Sequence, residues 1–242
     1  MLKFIFKFII KFILILAIIA IGLLTYLGVM PWSSSFGVGQ KDLGIKVTKE
    51  ESVAAIVKIG TQIIGLPAVT PDENSFRLEG TKIANFAMDS QEISAHSNNR
   101  TWRNYPIKNV QIKIHDDGTI ESSAILIVSK AMPYAMGLGY SRDQIKEAMQ
   151  KYNIPPVEVP IYILGKGSVS NDKVLVDATN VKIGNIAIPS NILKQVNTEA
   201  KNVIEDLIRR NGKSFHCESL TFANGKLDFK GRVAEKLYVA TE

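Results

Sequence analysis

Residues 190–210 read SNILKQVNTEAKNVIEDLIRR, and this stretch decides the fold class. Its apolar residues recur three and four positions apart, which is the spacing of a helix with one buried face. They are Ile192, Leu193, Val196, Ala200, Val203, Ile204, Leu207 and Ile208. Charged residues such as Lys194, Glu199 and Arg209 lie mainly on the opposite face. The stretch therefore predicts a long amphipathic helix from Ser190 to Arg210.

Three hairpins accompany this helix. Residues 110–114 alternate apolar and polar side chains, and Asp116-Asp117-Gly118 separates them from a second strand ending at Val128. Ala223-Asn224-Gly225 and Ser170-Asn171-Asp172 are turns of the same kind between two further pairs of strands. A short turn with Gly or Asn between two apolar runs is typical of an antiparallel hairpin. The sequence thus predicts an α+β domain, in which helices pack on a curved antiparallel sheet of hairpins around the long helix.

Capping patterns predict three shorter helices. Thr48 and Glu51 form a capping box for a helix that carries Val53, Ile56, Val57, Ile63 and Ile64 towards one side and is closed by Pro67 and Pro71. Asp89 and Glu92 begin a second helix ending near Asn98, and Ser141 begins a third that runs to about Tyr152. Residues 76–80 alternate and predict a strand.

The N-terminal segment predicts a membrane anchor. Residues 1–30 hold 24 apolar residues, three lysines (Lys3, Lys7, Lys11) and no acid. The uncharged run from Phe12 to Met30 would reach about 28 Å as a helix, close to the hydrocarbon thickness of a bilayer. The lysines precede this run, so the positive-inside rule places the N-terminus in the cytoplasm and the rest outside. A cleaved signal peptide is the weaker interpretation, because the run is long and Gly28-Val29-Met30 is a poor cleavage site.

The remaining chain divides into a linker at residues 31–47, rich in Ser and Gly, and a domain at residues 48–242. The mean hydropathy of +0.08 therefore averages two unlike parts. Of the net charge of +6, three units belong to the anchor. The rest of the chain carries +3, and its basic residues are interspersed with acidic ones. This charge pattern argues against nucleic acid as a partner. The single cysteine, Cys217, excludes an internal disulfide and a multi-cysteine metal site.

Some predicted strands are apolar on both faces. Each face of such a strand must be covered, either by another layer of protein or by an acyl chain. Residues 124–128 read AILIV and residues 161–164 read IYIL, and residues 131–138 between them carry two methionines. The side chains predicted to line a hydrophobic ligand are Ile125, Ile127, Met132, Met136, Leu138, Tyr162, Leu164, Val196 and Val203. The alternative is that these side chains belong to an ordinary two-layer core, in which Met fills gaps.

Catalytic and metal patterns are weak. His96, His115 and His216 lie on separate segments, and the neighbours His216 and Cys217 would point to opposite faces of a strand. Asp116 and Asp117 are more typical of a turn than of a cation site. We expect no catalytic residue, no metal and no cofactor, so that an envelope hydrolase using His96, His115 and Asp116 is a minor alternative.

Four stretches resemble the YpmS-like group of bacterial envelope proteins, which have one N-terminal membrane helix and an extracytoplasmic domain. They are NVQIKIHDDGTIE at 109–121, VPIYILGKGSV at 159–169, VKIGNIAIP at 181–189 and LTFANGKLDFKG at 220–231. More distantly, such proteins look like the tubular lipid-binding (TULIP-like) domains. The resemblance implies handling of lipid or another hydrophobic ligand at the envelope and supplies no catalytic positions.

Two functions remain open from the sequence. The first is a membrane-anchored, extracytoplasmic, non-enzymatic protein that binds lipid or another hydrophobic ligand, with the bilayer as its surroundings. The second is an anchored protein–protein interaction module that docks a cell-wall or division protein of the envelope. An open apolar groove would favour the first function, whereas a closed core with an apolar patch elsewhere would favour the second.

Overall fold

The computed structural model describes residues 39–143, 145 and 157–242. Four helices lie in this part of the chain: α1 (Lys49–Ile59), α2 (Ser90–Asn98), α3 (Ala131–Gly137) and α4 (Ser190–Arg210). The strands are β1 (Gln62–Leu66), β2 (Phe76–Glu79), β3 (Lys82–Asp89), β4 (Ile107–Ile114), β5 (Ile120–Ile127), β6 (Glu158–Ser170), β7 (Lys173–Ile183), β8 (Ile186–Ala187), β9 (His216–Ala223), β10 (Lys226–Val233) and β11 (Lys236–Ala240). The fold is α+β, as the sequence predicts.

The strands form two sheets. The larger has the order β3-β10-β9-β6-β5-β4, and β7 pairs with β6 and with the short β8. All of its pairs are antiparallel, and the three predicted turns connect β4 to β5, β6 to β7 and β9 to β10. The smaller sheet has the order β1-β11-β2, and its β1–β11 pair is parallel. The three hairpins predicted from the turns are therefore confirmed.

The long strand β6 holds the larger sheet together. One of its edges pairs first with β5 and then, at Val169 and Ser170, with β9, while β7 runs along the opposite edge. A bulge interrupts the β6–β7 pairing at Gly165. A Cβ atom at Gly165 would lie 2.4 Å from the carbonyl oxygen of Asp177, so only glycine allows the two backbones to approach here. Bulges of this kind bend a sheet.

Helix α4 has the bounds that its apolar spacing predicts. Val196 and Ala200 are fully buried, and Ile192, Leu193, Ile204 and Ile208 belong to the same core cluster. The helix packs against β7, and the core that it joins also includes Ile161 and Ile163 of β6. The apolar face of α4 is thus used by the core of the domain.

Helix side chains complete two edges of the larger sheet. At β4, the backbone N–H groups of Val110, Ile112 and Ile114 donate to Asn98, Ser94 and Ser90 of α2, at 2.8, 2.8 and 2.9 Å. The three acceptors recur every four helical residues, or about 6 Å, and the three donors every two strand residues, or about 6.8 Å. Because these spacings nearly agree, one face of α2 serves the unpaired groups of an edge strand.

Side chains of helix α4 bond to backbone groups along the edge of β7 in the same way. The side-chain amide of Asn197 accepts from the backbone N–H of Ala178 at 3.1 Å and donates to its carbonyl at 3.2 Å. Farther along the edge, the backbone N–H of Val174 donates to the carboxylate of Glu205 at 3.0 Å. Edge strands with free backbone groups tend to pair with other chains, and both helices oppose such pairing at these two edges.

The first predicted helix is correct at its start and wrong at its end. The capping box of Thr48 and Glu51 is confirmed, but α1 ends at Ile59, because Gly60 adopts a left-handed conformation that terminates it. Ile63 and Ile64, predicted to be helical, lie in β1 and pair with β11. The predicted apolar face is also wrong, since Val53 and Val57 are 50% and 72% exposed whereas Ser52, Ala55 and Ile59 are buried.

The predicted anchor at residues 1–30, the first part of the linker and most of the helix predicted at 141–152 lie outside the described residues. Among the residues that the structure does describe, no helix is long and apolar enough to cross a membrane. The described end of the predicted linker, residues 39–47, has no regular secondary structure but is bonded to β4 and β5. We call residues 39–47 the strap.

Candidate functional site

A cleft of about 920 Å³ lies where the strap meets the larger sheet. Its walls come from the strap, from the loop that follows α2, from the first half of β4 and from the end of β5. Apolar side chains such as Ile45, Ile107 and Ile127 share this lining with the amides of Gln40 and Gln111. The volume falls in the range of roughly 300–1,000 Å³ that small-molecule sites occupy.

The backbone of β4 is irregular where it borders the cleft. The register against β5 shifts between Lys108 and Gln111, and Asn109 has a positive φ of 54°. The carbonyl of Asn109 accepts a hydrogen bond from the side chain of Gln40 at 2.5 Å. Bulges redirect side chains at the rim of a sheet, and this one lies where β4 is bonded to the strap.

Charge in the cleft is predominantly positive. Arg100, Arg103, Lys108 and Lys130 line it, together with the single acid Glu242. Lys108 pairs with Glu158 at 2.7 Å, and Lys130 lies 3.5 Å from Glu242. The cleft therefore combines apolar surface with cationic groups, and the anionic part of a ligand would share Lys108 and Lys130 with these carboxylates.

Arg103 is tied to the loop before β2. Its guanidinium lies 3.0 Å from the carboxylate of Asp72 and also donates to the carbonyls of Ala68 and Thr70. Burial opposes ionisation of Asp72, but hydrogen bonds from Asn104 and Arg103 outweigh it, so the pKa of Asp72 is lowered. The charge of Arg103 is thus used to hold this loop in place.

Aromatic rings support the loop after α2. The centroids of Trp102 and Tyr134 lie 4.9 Å apart, and those of Tyr105 and Tyr134 lie 6.5 Å apart. The guanidinium nitrogens of Arg100 are buried beside Tyr105. Burial raises the pKa of Tyr105 to about 12 and lowers the pKa of Arg100. These rings and Arg100 thus pack behind one wall of the cleft.

The strap crosses the face of the larger sheet that points away from α4. Gln111, Ser123 and Tyr162 are cross-strand neighbours on β4, β5 and β6. Gln111 accepts from the backbone N–H of Leu43 at 2.7 Å, and Ser123 donates to the carbonyl of Lys41 at 2.6 Å. Tyr162 lies under Lys41, so all three members of this row contact the strap.

Glu121 is the centre of a polar cluster beside this row. It accepts from Lys41 at 2.9 Å and from the hydroxyl of Tyr162 at 3.0 Å, and its other oxygen lies 3.1 Å from Nε2 of His115. The hydrogen bond from Lys41 is the largest cause of the lowered pKa of Glu121, and the same bond raises the pKa of Lys41. The cluster fixes the start of the strap to the sheet.

The side chains predicted to line a ligand lie in three places. Ile125, Ile127, Tyr162 and Leu164 lie on the strap side of β5 and β6, and of these Ile127 lines the cleft. Met132, Met136 and Leu138 belong to α3 and the residue after it. Val196 is fully buried on α4, and Val203 is half-buried there. The structure thus brings the four predicted side chains of β5 and β6 together on one face and separates them from the five on α3, after α3 and on α4.

The space between α4 and the sheet is largely filled. An apolar cavity of about 40 Å³ lies there, lined among others by Ile163, Ile204 and Phe222. This is far below the volume of small-molecule sites. Of the two arrangements distinguished from the sequence, the described interior corresponds to the closed core.

The histidines have structural partners or buried positions. His115 bonds to Glu121, and Nδ1 of His216 lies 2.7 Å from the carboxylate of Asp172 in the β6–β7 turn. His96 is buried on α2. Cys217 is buried too, and burial raises the pKa of its thiol to about 12. Asp117 accepts twice from Thr119, which is the turn-shaping role expected for this pair of acids.

No protein-family model, curated protein or solved structure matches this chain. The resemblance to YpmS-like and TULIP-like proteins therefore stays a prediction, and the cleft has to be interpreted from its own residues.

Most residues of the cleft were missed from the sequence. Lys108, Lys130, Trp102 and Gln40 come from four separate segments, and none belongs to a recognisable motif. The one local signal is Asn109, because an asparagine at the start of an alternating run is tolerated at positive φ and often marks a bulge.

Proposed function

We propose that this protein is a membrane-anchored, extracytoplasmic binding protein for a lipid or another hydrophobic ligand, and that it acts without catalysis. The single observation that carries the proposal is the cleft of about 920 Å³, whose lining is part apolar and part cationic. An amphipathic molecule with an anionic head group has the matching chemistry. Burial of its apolar part would contribute about 25 cal/mol per Å².

The position of the cleft supports this proposal. Gln40, Ile45 and Val47 of the strap line it, and only residues 31–38 separate the strap from the predicted end of the anchor at Met30. Even fully extended, the chain from Met30 to Gly39 reaches only about 30 Å. An anchor in the bilayer would therefore keep the cleft close to the lipid surface, with the N-terminus in the cytoplasm.

The filled interior changes where the ligand is proposed to bind. A long helix within a curved sheet would suggest an acyl chain between α4 and the strands, as in TULIP-like domains. The cavity of about 40 Å³ found there is too small for such a chain. We therefore place the ligand in the cleft, on the side of the sheet opposite α4.

Native mass spectrometry of the full chain, released from phosphatidylglycerol nanodiscs, tests the proposal. We expect a lipid adduct on the wild-type chain and at least a tenfold weaker adduct on Val47→Glu, which places a charge in the cleft. Val53→Glu is the matched control, because Val53 is a similarly exposed valine on α1. A wild-type chain that keeps no lipid after incubation would refute the proposal.

A protein–protein interaction module is the second candidate, and β1 is the observation that favours it. This strand lies at the edge of the smaller sheet, and its sequence, QIIGL, has no charge. Uncharged edges can accept an extended segment of another chain. Photo-crosslinking from Gln62 in cells should then capture one envelope protein, and Ile64→Lys should abolish that capture while leaving the lipid adduct unchanged.

A further inference from the structure

We infer that the strap is a movable wall of the cleft, and that its docking on the sheet and the binding of ligand in the cleft stabilise each other. This inference rests on the proposed function, because it concerns the regulation of the same site. It makes Lys41 and Glu121 positioning residues, which act on the ligand through the strap.

The strap is attached by a few identifiable contacts. The side chain of Lys41 bonds to Glu121, and the backbone carbonyl of Lys41 accepts from Ser123. The backbone N–H of Leu43 donates to Gln111. Leu43 is buried, although it is not part of the main core cluster. With no regular secondary structure, the strap depends on these side-chain contacts, and segments held in this way open more readily than core strands do.

The same segment completes the binding site. Gln40, Ile45 and Val47 line the cleft, so undocking of the strap removes one of its walls. The opposite walls belong to β4, to β5 and to the loop supported by Trp102 and Tyr134. A ligand that contacts both sides binds the docked form more tightly, and by linkage it must favour docking to the same extent.

One contact that docks the strap, the bond between Lys41 and Glu121, is separate from the groups available to the ligand. Lys41 and Glu121 do not line the cleft, whereas Val47 does. If loss of the Lys41 contacts lowers the docked population to one tenth, the apparent Kd of the ligand rises about tenfold, because only the docked fraction binds. A substitution outside the cleft is thus expected to weaken binding inside it.

The strap also links the cleft to the predicted anchor. Residues 31–38 separate the strap from the predicted end of the anchor at Met30, so undocking of the strap would lengthen the stretch of chain between the anchor and the point where the chain is bonded to the sheet. Occupancy of the cleft would in this way alter how far the domain can move from the lipid surface.

Hydrogen exchange and lipid binding, measured on the full chain in phosphatidylglycerol nanodiscs, test the inference together. We expect Lys41→Ala to speed exchange of the backbone amides in residues 40–44 and to raise the apparent Kd for the lipid about tenfold. Glu121→Gln weakens the same contact from the side of the sheet and should act in the same direction. Lys46→Ala, an exposed lysine of the strap, is the matched control and should change neither quantity.

The outcomes separate this inference from the proposed function. Absence of lipid from the wild-type chain would refute the proposed function. Faster exchange in Lys41→Ala with an unchanged Kd would refute the coupling while leaving lipid binding intact. Unchanged exchange in both Lys41→Ala and Glu121→Gln would show that these contacts do not hold the strap and would overturn the inference.

Discussion

The ammonium group of Lys41 lies 4.0 Å from the centroid of the Tyr162 ring, and both side chains bond to Glu121. Tyr162 lies on the face of β6 away from α4, and only 8% of its surface is exposed. A cation over an aromatic face is attracted by the electrons of the ring. The strap therefore covers part of the apolar surface that the sequence assigns to a ligand.

Acid should weaken this contact. The pKa of Glu121 is lowered in the folded chain, chiefly by the hydrogen bond from Lys41, so its ionised form favours the fold above the ordinary carboxyl pKa. This contribution is lost as the pH falls through the lower, folded-state pKa. At neutral pH, Glu121→Gln should lower the free energy of unfolding by about 1 kcal/mol. Urea unfolding of the full chain in detergent should show this difference shrinking towards low pH.

A difference that stays constant with pH would contradict the assignment of the effect to Glu121. The groups that contact Glu121, namely Lys41, Tyr162 and His115, remain in the variant, so the comparison changes the carboxylate alone.

Removal of the Ser94 hydroxyl should destabilise the edge of the larger sheet. Ser94→Ala leaves the buried N–H of Ile112 without its acceptor, which costs about 1–3 kcal/mol. Ser97→Ala is the matched control on the same helix. Within the part of the chain that the structure describes, the Ser97 hydroxyl bonds only to the carbonyl of Ile93 in α2, and its loss should cost less than about 1 kcal/mol. Equal losses in urea unfolding would argue against the role of α2 at this edge.

Gly60 should be sensitive to an added methyl group. It has a φ of 66° where α1 ends, a conformation that a side chain disfavours by about 1–2 kcal/mol. Gly60→Ala should lower the free energy of unfolding by that amount. Gly39→Ala is a suitable control, because a Cβ atom there meets no atom within 4 Å. A neutral Gly60→Ala would show that α1 continues beyond Ile59 in solution.

The thiol of Cys217 should be inert in the folded chain. It is buried, with its pKa raised to about 12, so almost no thiolate exists at about pH 8. A disulfide reagent should label one thiol per chain in concentrated guanidinium chloride and none under native conditions. Rapid native labelling would mean that the core around β9 opens readily.

The sequence predicts elements whose signals are local. The spacing in α4, the capping boxes at Thr48 and Asp89 and the three hairpin turns depend on neighbours in the chain, and all are confirmed. Gly60 is a local signal for the end of α1 that the prediction overlooked, whereas the strand β1 that follows depends on pairing with β11, far along the chain. The cleft eluded prediction for the same reason, since its walls come from segments that only the fold brings together.

The side-chain bonds between α2 and β4 imply an uneven tolerance to insertions and deletions. Each added or lost residue rotates the rest of a helix by about 100°. One such change between Ser90 and Asn98 would turn part of the series of Ser90, Ser94 and Asn98 away from β4. Natural variants of this chain should therefore keep the length of α2 constant.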